Sequence, residues 1–212
     1  MRPALLAGGV ALLMLFAADA AYVLAFGTTR VDLAIVLAVQ HTSWGSLAAL
    51  FGLVDWLEGV RQALLAIATV AVVALLNRRA RWFAFLCFLS GGGYWLTQEV
   101  IRRPRPSAAL VHVVRHTSDY SFPSGHEVFF TWWVAVLTLA LVAPFAPRLL
   151  VPAWLLAAVV VVFVAISRLW EGEHWATDVL GGVLLGGGWT LIAFAAAPPS
   201  GARHLPKHGS AP

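Results

Sequence analysis

The chain has 212 residues, of which 60% are hydrophobic and only 11% are charged. A soluble domain carries roughly a quarter charged residues, so this composition excludes an ordinary soluble enzyme and indicates one integral membrane domain. The net charge of +4 does not indicate nucleic-acid binding, because the basic residues flank apolar segments.

Six segments are apolar enough to cross a bilayer, which takes about 20 residues each. They are residues 3–26, 62–76, 82–101, 126–145, 150–167 and 178–197. We therefore predict an all-α fold, a bundle of six transmembrane helices forming a single domain over residues 1–197. Arg2 and the sequence Ala18-Asp19-Ala20 also fit a signal peptide, but the apolar run continues to Phe26 and favours an uncleaved anchor.

The parts outside these six segments have their own patterns. Residues 27–61 are moderately apolar and interrupted by polar side chains, which predicts one or two helices lying in the membrane interface between spans 1 and 2. Glycines inside the apolar segments, Gly91–Gly93, Gly181, Gly182 and Gly186–Gly188, predict close helix packing. Residues 198–212 are rich in proline, glycine and histidine, so we expect a disordered cytoplasmic tail.

The charges also predict an orientation. The basic link Asn77-Arg78-Arg79-Ala80-Arg81 favours the cytoplasm, which puts both termini inside. Arginine far outnumbers lysine and alanine is abundant, which suggests a bacterial gene. We expect a multi-pass protein of the bacterial plasma membrane.

Three polar clusters fall on the external side of this predicted bundle. Two spans separate the second cluster from the third, and a polar loop joins the first to the second, so all three share one face. The clusters are Arg102-Arg103-Pro104-Arg105-Pro106, Ser121-Phe122-Pro123-Ser124-Gly125-His126, and residues 167–178.

These residue types suit phosphate chemistry. Arginine binds phosphate oxygens with a planar, permanently charged fork, and Ser124-Gly125-His126 opens a helix whose free N–H groups favour an anion. His174 and Asp178 lie four residues apart on one helix face, so the carboxylate can fix the ring and leave the other nitrogen free to attack. His126 is then a second acid or base, which makes a two-step phosphoryl transfer plausible.

Each cluster also has a simpler interpretation. Ser124 followed by Glu127 fits a helix capping box. Arg102 and Arg103 could serve simply to anchor a span in the membrane. His174 with Asp178 could be half of a metal site. Glu171 and Glu173 would repel a phosphate, so we expect them to face solvent or pair with arginines.

The three clusters together resemble the type 2 phosphatidic acid phosphatase superfamily of lipid phosphate phosphatases, whose site is shared with vanadium haloperoxidases. The motif Pro-Ser-Gly-His is present in full at 123–126, and Ser-Arg-x5-His-x3-Asp is present in full at 167–178. The motif Lys-x6-Arg-Pro is met at Arg105-Pro106, but Gln98 stands where the family has lysine.

The resemblance implies a phosphatase that needs no metal and no cofactor. It implies that His174 attacks phosphorus, Asp178 holds its ring and His126 protonates the leaving oxygen. Phosphate oxygens would be held by the side chains of Arg105, Arg168 and Ser124 and by the amide of Gly125. Gln98 would be a neutral contact. Arg102, four residues on, would replace the charge of the family lysine.

We therefore expect an enzyme that hydrolyses a lipid phosphate or lipid diphosphate, of the undecaprenyl diphosphate or phosphatidate type, with its site on the external side of the membrane. Its partners would be that substrate and membrane lipids, and no nucleic acid. Alternatives are a lipid transporter or flippase, a vanadate-using haloperoxidase, and a catalytically silent relative for which Gln98 is the hint.

Overall fold

The computed structural model describes residues 2–115 and 117–199, and these form helices and loops without a strand. Most of the predicted tail lies outside the described residues. The helices are α1 (Pro3–Phe26), α2 (Arg30–His41), α3 (Ala48–Trp56), α4 (Val60–Leu76), α5 (Arg81–Phe88), α6 (Ser90–Ile101), α7 (Gly125–Val136), α8 (Ala143–Phe145), α9 (Leu150–Trp170) and α10 (Ala176–Ala196). The all-α prediction is confirmed.

Helix α1 has the predicted bounds, because its ends are defined by local chemistry. Pro3 occupies the first turn, where a missing N–H does no harm, and Gly27 ends the helix with a positive φ of 62°. Helix α1 packs along α10. A Cβ on Gly9 would lie 2.9 Å from the carbonyl oxygen of Gly188, so both glycines are needed for this close approach.

Helix α10 also packs closely against α7, the helix that begins with the second predicted cluster. A Cβ on Gly182 would lie 2.7 Å from the carbonyl oxygen of Ser124. The packing role predicted for the glycines is confirmed in α10. It is wrong for Gly91 and Gly92, where a Cβ would meet nothing within 4 Å.

The helices of the described residues provide fewer clear spans than the six predicted. Four stretches are long and apolar enough to cross a membrane: Pro3–Phe26, Gly125–Phe145, Pro147–Trp170 and Ala176–Ala196. Helix α4 is apolar but shorter, and the predicted third span is divided at Leu89 into α5 and α6. The stretch from α7 to α8 stays helical through a π-helical segment, Leu137–Val142.

The predicted interfacial segment consists of two helices, α2 and α3, which meet at an angle of 113°. Thr29 and Asp32 begin α2 with a capping box, in which each side chain bonds the other's backbone N–H. Helix α2 packs against α9 and α10, and α3 packs against α9. The segment therefore lies beside the end of the bundle that carries the polar clusters.

Candidate active site

One cavity of about 470 Å³ brings together residues from all three predicted clusters. Its polar lining is Glu58, Gln62, Arg105, Asp119, His126, Glu173 and His174. Its apolar lining comes from α4, the α5–α6 junction and α7, and includes Ala63, Ala66, Phe88, Leu89, Phe129 and Trp132. A polar chamber continuous with an apolar arm can hold an amphiphilic ligand.

His174 lies in the loop between α9 and α10 and is almost fully buried. Its Nδ1 lies 2.9 Å from the carbonyl oxygen of Ser121, which can only accept, so Nδ1 carries the hydrogen. Its Nε2 lies 3.3 Å from Nη1 of Arg105, which can only donate. Burial, and next the charge of Arg105, lower the pKa of His174 below its ordinary value. The ring is therefore neutral, with its lone pair on Nε2.

The sequence predicted that Asp178 holds the ring of His174, but the two side chains do not form a hydrogen bond. Its Oδ2 lies 3.8 Å from Nδ1 of His174, which is too long for a hydrogen bond, and the carbonyl of Ser121 takes that place. Oδ2 of Asp178 instead accepts the backbone N–H of Trp175 at 2.7 Å, at the start of α10. The carbonyl oxygen of Asp178 accepts the N–H of Ser124 at 2.9 Å, which joins the second cluster to the third.

His126 lies in the first turn of α7 and is buried. Its Nε2 is 3.1 Å from the carbonyl oxygen of Val54 in α3, so Nε2 donates and Nδ1 is the nitrogen left for other work. The segment of α2 and α3 thus reaches the site through its backbone, a contact that the sequence did not predict.

Arg105 is the one arginine or lysine that lines the cavity among the residues that the structure describes. Its Nε and Nη2 donate to the two carboxylate oxygens of Asp119, each at 2.9 Å, and Nη1 donates to the carbonyl oxygen of Glu173. Burial alone would raise the pKa of Asp119, but the hydrogen bonds and charge of Arg105 outweigh it and lower that pKa.

Arg168, predicted to hold phosphate, is fully buried and does not line this cavity. Its Nη1 donates to Glu173 at 2.9 Å, and its Nη2 donates to Ser167 at 3.0 Å and to Glu171. Glu171 and Glu173 therefore pair with arginine, one of the two arrangements expected from the sequence. They do not face solvent, because both are buried.

Three carboxylates, those of Asp55, Glu171 and Glu173, converge within 4.8 Å of one another and surround the guanidinium of Arg168. Burial raises the pKa of Glu171 to about 7, against the opposing charge of Arg168. Burial would also raise the pKa of Glu173, but Arg168 and further cations outweigh it and lower that pKa. Arg168 is thus paired with all three carboxylates, and Arg115 pairs in addition with Asp55 and Glu173.

Ser124 and Gly125 begin α7 beside the cavity. Ser124 does not form the capping box with Glu127, because neither its buried Oγ nor the carboxylate of Glu127 has a hydrogen-bond partner in the described part of the chain. Gly125 lines the cavity, and a Cβ there would lie 2.9 Å from the ring of Tyr94. An orphaned buried hydroxyl next to this glycine fits a ligand that supplies the missing partner.

Gln98 and Arg102 do not line the cavity. Nε2 of Gln98 donates to the carbonyl oxygens of Tyr120 at 2.9 Å and Pro123 at 3.3 Å, so it supports the loop before Ser124. Helix α6 ends at Ile101, and Arg102 turns away with a positive φ of 49° and pairs with Glu99. The idea that Arg102 replaces the missing charge fails, because the helix does not continue to it.

Sequence reasoning missed a buried ion-pair network beside the site. Arg103 donates to Asp178 at 2.5 Å, to Asp32 at 2.7 Å and to the carbonyl oxygen of Gly27 at 2.9 Å. Asp32 also accepts the N–H of Thr177 at 3.0 Å. An isolated aspartate among the apolar residues of α2 was the one signal, since such a charge needs a partner.

Comparison with known proteins supports the resemblance. The sequence profile of the PAP2 superfamily matches residues 79–201, which is more than half of the chain. The chain belongs to the PAP2 superfamily. The match includes the second and third motifs in full and Arg105-Pro106 of the first.

Three curated relatives have names that describe phosphatases. Phosphatidylglycerophosphatase B of Bacillus subtilis is 34% identical over 135 residues, 60% of this chain and 64% of that protein. Undecaprenyl-diphosphatase of Sulfolobus acidocaldarius is 36% identical over 69 residues, 32% of this chain and 30% of that protein. Decaprenylphosphoryl-5-phosphoribose phosphatase of Mycolicibacterium smegmatis is 34% identical over 120 residues, 55% of this chain and 61% of that protein. The chain thus spans less than two thirds of the length of each.

A solved structure agrees over most of the fold. It is the crystal structure of a transmembrane PAP2-type phosphatidylglycerolphosphate phosphatase from Bacillus subtilis, with a TM-score of 0.71 and 26% identity. The likeness covers 89% of this chain and 94% of that one. The chain is therefore an α-helical membrane protein of this superfamily.

Proposed function

We propose that this chain is an integral membrane phosphatase that hydrolyses a lipid phosphate or lipid diphosphate through a phosphohistidine. The observation that carries the proposal is the cavity, where His126, His174 and Arg105 share a chamber that leads into an apolar arm. The names of the relatives, which specify phosphatidylglycerophosphate and polyprenyl substrates, support an undecaprenyl diphosphate or phosphatidate-type lipid.

In the first step, the lone pair on Nε2 of His174 attacks phosphorus and forms a P–N bond. The bond from phosphorus to the leaving oxygen breaks, and the imidazolium form of His126 gives its Nδ1 proton to that oxygen. Ser121 keeps the Nδ1–H of His174 in place, because its carbonyl accepts that hydrogen as positive charge develops on the ring. Asp178 acts by holding the start of α10 and by its charge, at 3.8 Å.

In the second step, water attacks the phosphorus of the phosphohistidine while Nδ1 of His126, now neutral, takes a proton from it. The P–N bond breaks, inorganic phosphate leaves, and His174 regains its lone pair. Both steps need donors for the phosphate oxygens, and we assign these to Arg105 and the backbone N–H of Gly125, which line the cavity. We add the orphaned Oγ of Ser124, which is buried next to Gly125 and does not itself line the cavity.

Arg168 belongs to this set only in a state in which Glu173 has released it, because its guanidinium is now held by carboxylates. Gln98 supports the site indirectly, through the loop that leads to Ser124.

We also propose that the site faces the external side of a bacterial plasma membrane. The basic residues Arg78, Arg79 and Arg81 follow α4, and Arg148 follows α8, at the bundle end opposite the predicted clusters. Positive residues of this kind stay in the cytoplasm, which supports an external position for the cavity.

The test is release of inorganic phosphate by the purified protein from phosphatidate, phosphatidylglycerophosphate and undecaprenyl diphosphate. We expect His174→Ala to abolish release from every lipid, and His126→Ala to lower the rate by about 10²–10⁴. Brief incubation with a lipid labelled in the phosphate should label wild-type protein with an acid-labile phosphoryl group and leave His174→Ala unlabelled.

His112→Ala is the matched control, because the His112 side chain is exposed and its contacts with Gln40 use only its backbone. Its activity should equal that of wild type. Full activity in His174→Ala would overturn the mechanism, and absence of phosphate release by wild type from all three lipids would overturn the proposed function.

A further inference from the structure

The phosphate-binding face of Arg105 already carries an anion from the protein itself. Asp119 places one carboxylate oxygen on Nε and the other on Nη2, each at 2.9 Å. This two-bond geometry is the one in which an arginine binds a phosphate. Asp119 and Arg105 both line the cavity that holds His126 and His174.

We propose that Asp119 is a specificity-determining residue, a resident counter-ion that a phosphomonoester displaces from Arg105 and a phosphodiester does not. The inference rests on the proposed function, because it assigns the selectivity of the same site. Asp119 would thereby exclude the phosphodiester lipids that surround a membrane enzyme from a site that must bind rarer lipids ending in a free phosphate.

The discrimination follows from charge. A phosphomonoester carries about −1.5 to −2 charges near pH 7, whereas a phosphodiester carries one. Replacing the single charge of Asp119 by the single charge of a diester leaves the charge around Arg105 unchanged, so it brings no electrostatic gain. A monoester brings additional charge and a third free oxygen, and its displacement of the carboxylate is favourable.

The surroundings of Arg105 strengthen this selection. Among the described residues that line the cavity, Arg105 is the one arginine or lysine. A diester that does not displace Asp119 from Arg105 therefore finds no second arginine or lysine among these lining residues. The Asp119 side chain is 48% exposed, so once displaced it can turn to water without leaving a charge buried.

The experiment compares two soluble probes as competitive inhibitors of phosphatidate hydrolysis by the full-length protein in detergent. Inorganic phosphate stands for a monoester and dimethyl phosphate stands for a diester. In wild type we expect dimethyl phosphate to inhibit far more weakly than inorganic phosphate. Asp119→Asn should lower this preference about tenfold, because neither probe then has to displace the charge-assisted contact between Asp119 and Arg105. An inhibition constant does not depend on the fraction of protein that is active, so partial unfolding cannot imitate the result.

Two further variants separate the inference from other effects. Asp119→Glu keeps the counter-ion and should keep the preference for inorganic phosphate. Glu99→Gln removes a carboxylate from Arg102, which lies outside the cavity, and should change neither inhibition constant. An unchanged preference in Asp119→Asn, or an equal change in Glu99→Gln, would overturn the inference. If wild type hydrolyses no lipid, the proposed function fails, and direct calorimetric titration with the same probes still decides the role of Asp119.

Discussion

At the scale of single residues, backbone groups prepare the reactive side chains. The carbonyl of Ser121 fixes the hydrogen on Nδ1 of His174, and the carbonyl of Val54 fixes it on Nε2 of His126. The two rings therefore offer different nitrogens for reaction, Nε2 in His174 and Nδ1 in His126. This difference suits one nucleophile and one proton carrier, because each ring keeps a single role through a reaction cycle.

A lowered pKa of His174 is the first consequence that can be measured. Burial disfavours the charged ring and Arg105 repels it, so we expect a titration midpoint below the ordinary value of 6.5. Histidine-labelled protein in detergent can be titrated by NMR, and the signal missing from His174→Gln among the seven histidines identifies this residue. A midpoint at or above 6.5 would contradict the described environment.

The same shift links pH to stability. Between the folded-state pKa and 6.5, the unfolded chain binds a proton that the folded chain does not. His174 therefore contributes stability above pH 6.5, and this contribution is lost as the pH falls through the folded-state value. The nucleophile stays neutral over the same range in which phosphate monoesters gain their second charge.

At the scale of helices, Arg103 joins elements that are distant in sequence. Its guanidinium binds Asp32 from α2 and Asp178 from α10, and both carboxylates and the arginine are buried. Asp178 in turn anchors the first turn of α10, which begins two residues after His174. The segment of α2 and α3 is thus part of the structure that positions the nucleophile.

Removal of Arg103 should destabilise the fold strongly. Arg103→Met leaves Asp32 and Asp178 buried without a counter-ion, and breaking a buried pair in this way costs about 3–5 kcal/mol. Thermal or denaturant unfolding in detergent measures the loss. Asp32→Asn in the same chain should recover part of it, because one of the two unpaired charges is then gone.

The neighbouring residue provides the control. Arg102 forms an ion pair with Glu99 at 3.4 Å, largely in solvent, and exposed pairs contribute about 1 kcal/mol or less. Arg102→Met should therefore leave stability almost unchanged. Equal losses in the two variants would show that the buried network does not contribute as its geometry indicates.

At the scale of the whole molecule, the sequence predicted those features of the fold and site that local sequence patterns determine. The bounds of α1 follow from an apolar run between Pro3 and Gly27, and the second and third motifs meet because an even number of spans separates them. The pairing of Arg103 with Asp32 joins residues 71 positions apart, and no local pattern encodes it. Likewise, the capture of Arg168 by Glu171 and Glu173 depends on the path of the loop after α9.

Backbone groups account for most of the remaining differences between the predicted site and the observed one. Residue types cannot indicate that the carbonyl of Ser121 replaces Asp178 at His174, because any residue supplies a carbonyl. The end of α6 at Ile101 agrees with the predicted end of the third span, but the positive φ of Arg102 was not indicated, since arginine is a good helix former. The sequence therefore predicted the members of the site better than their partners.

The apolar arm of the cavity leads to a prediction about lipid length. Gly91 and Gly92 line the arm, and a Cβ at Gly92 would meet no atom within 4 Å, so a larger side chain there can fill space without displacing a helix. We expect Gly92→Leu to lower kcat/KM for long-chain phosphatidate by about tenfold or more, while a soluble short-chain phosphate monoester is hydrolysed as by wild type. Gly92→Ala is the matched control, because it brings the same change in helix propensity with little volume. Equal losses on long and short substrates would show that the arm does not hold the lipid chain.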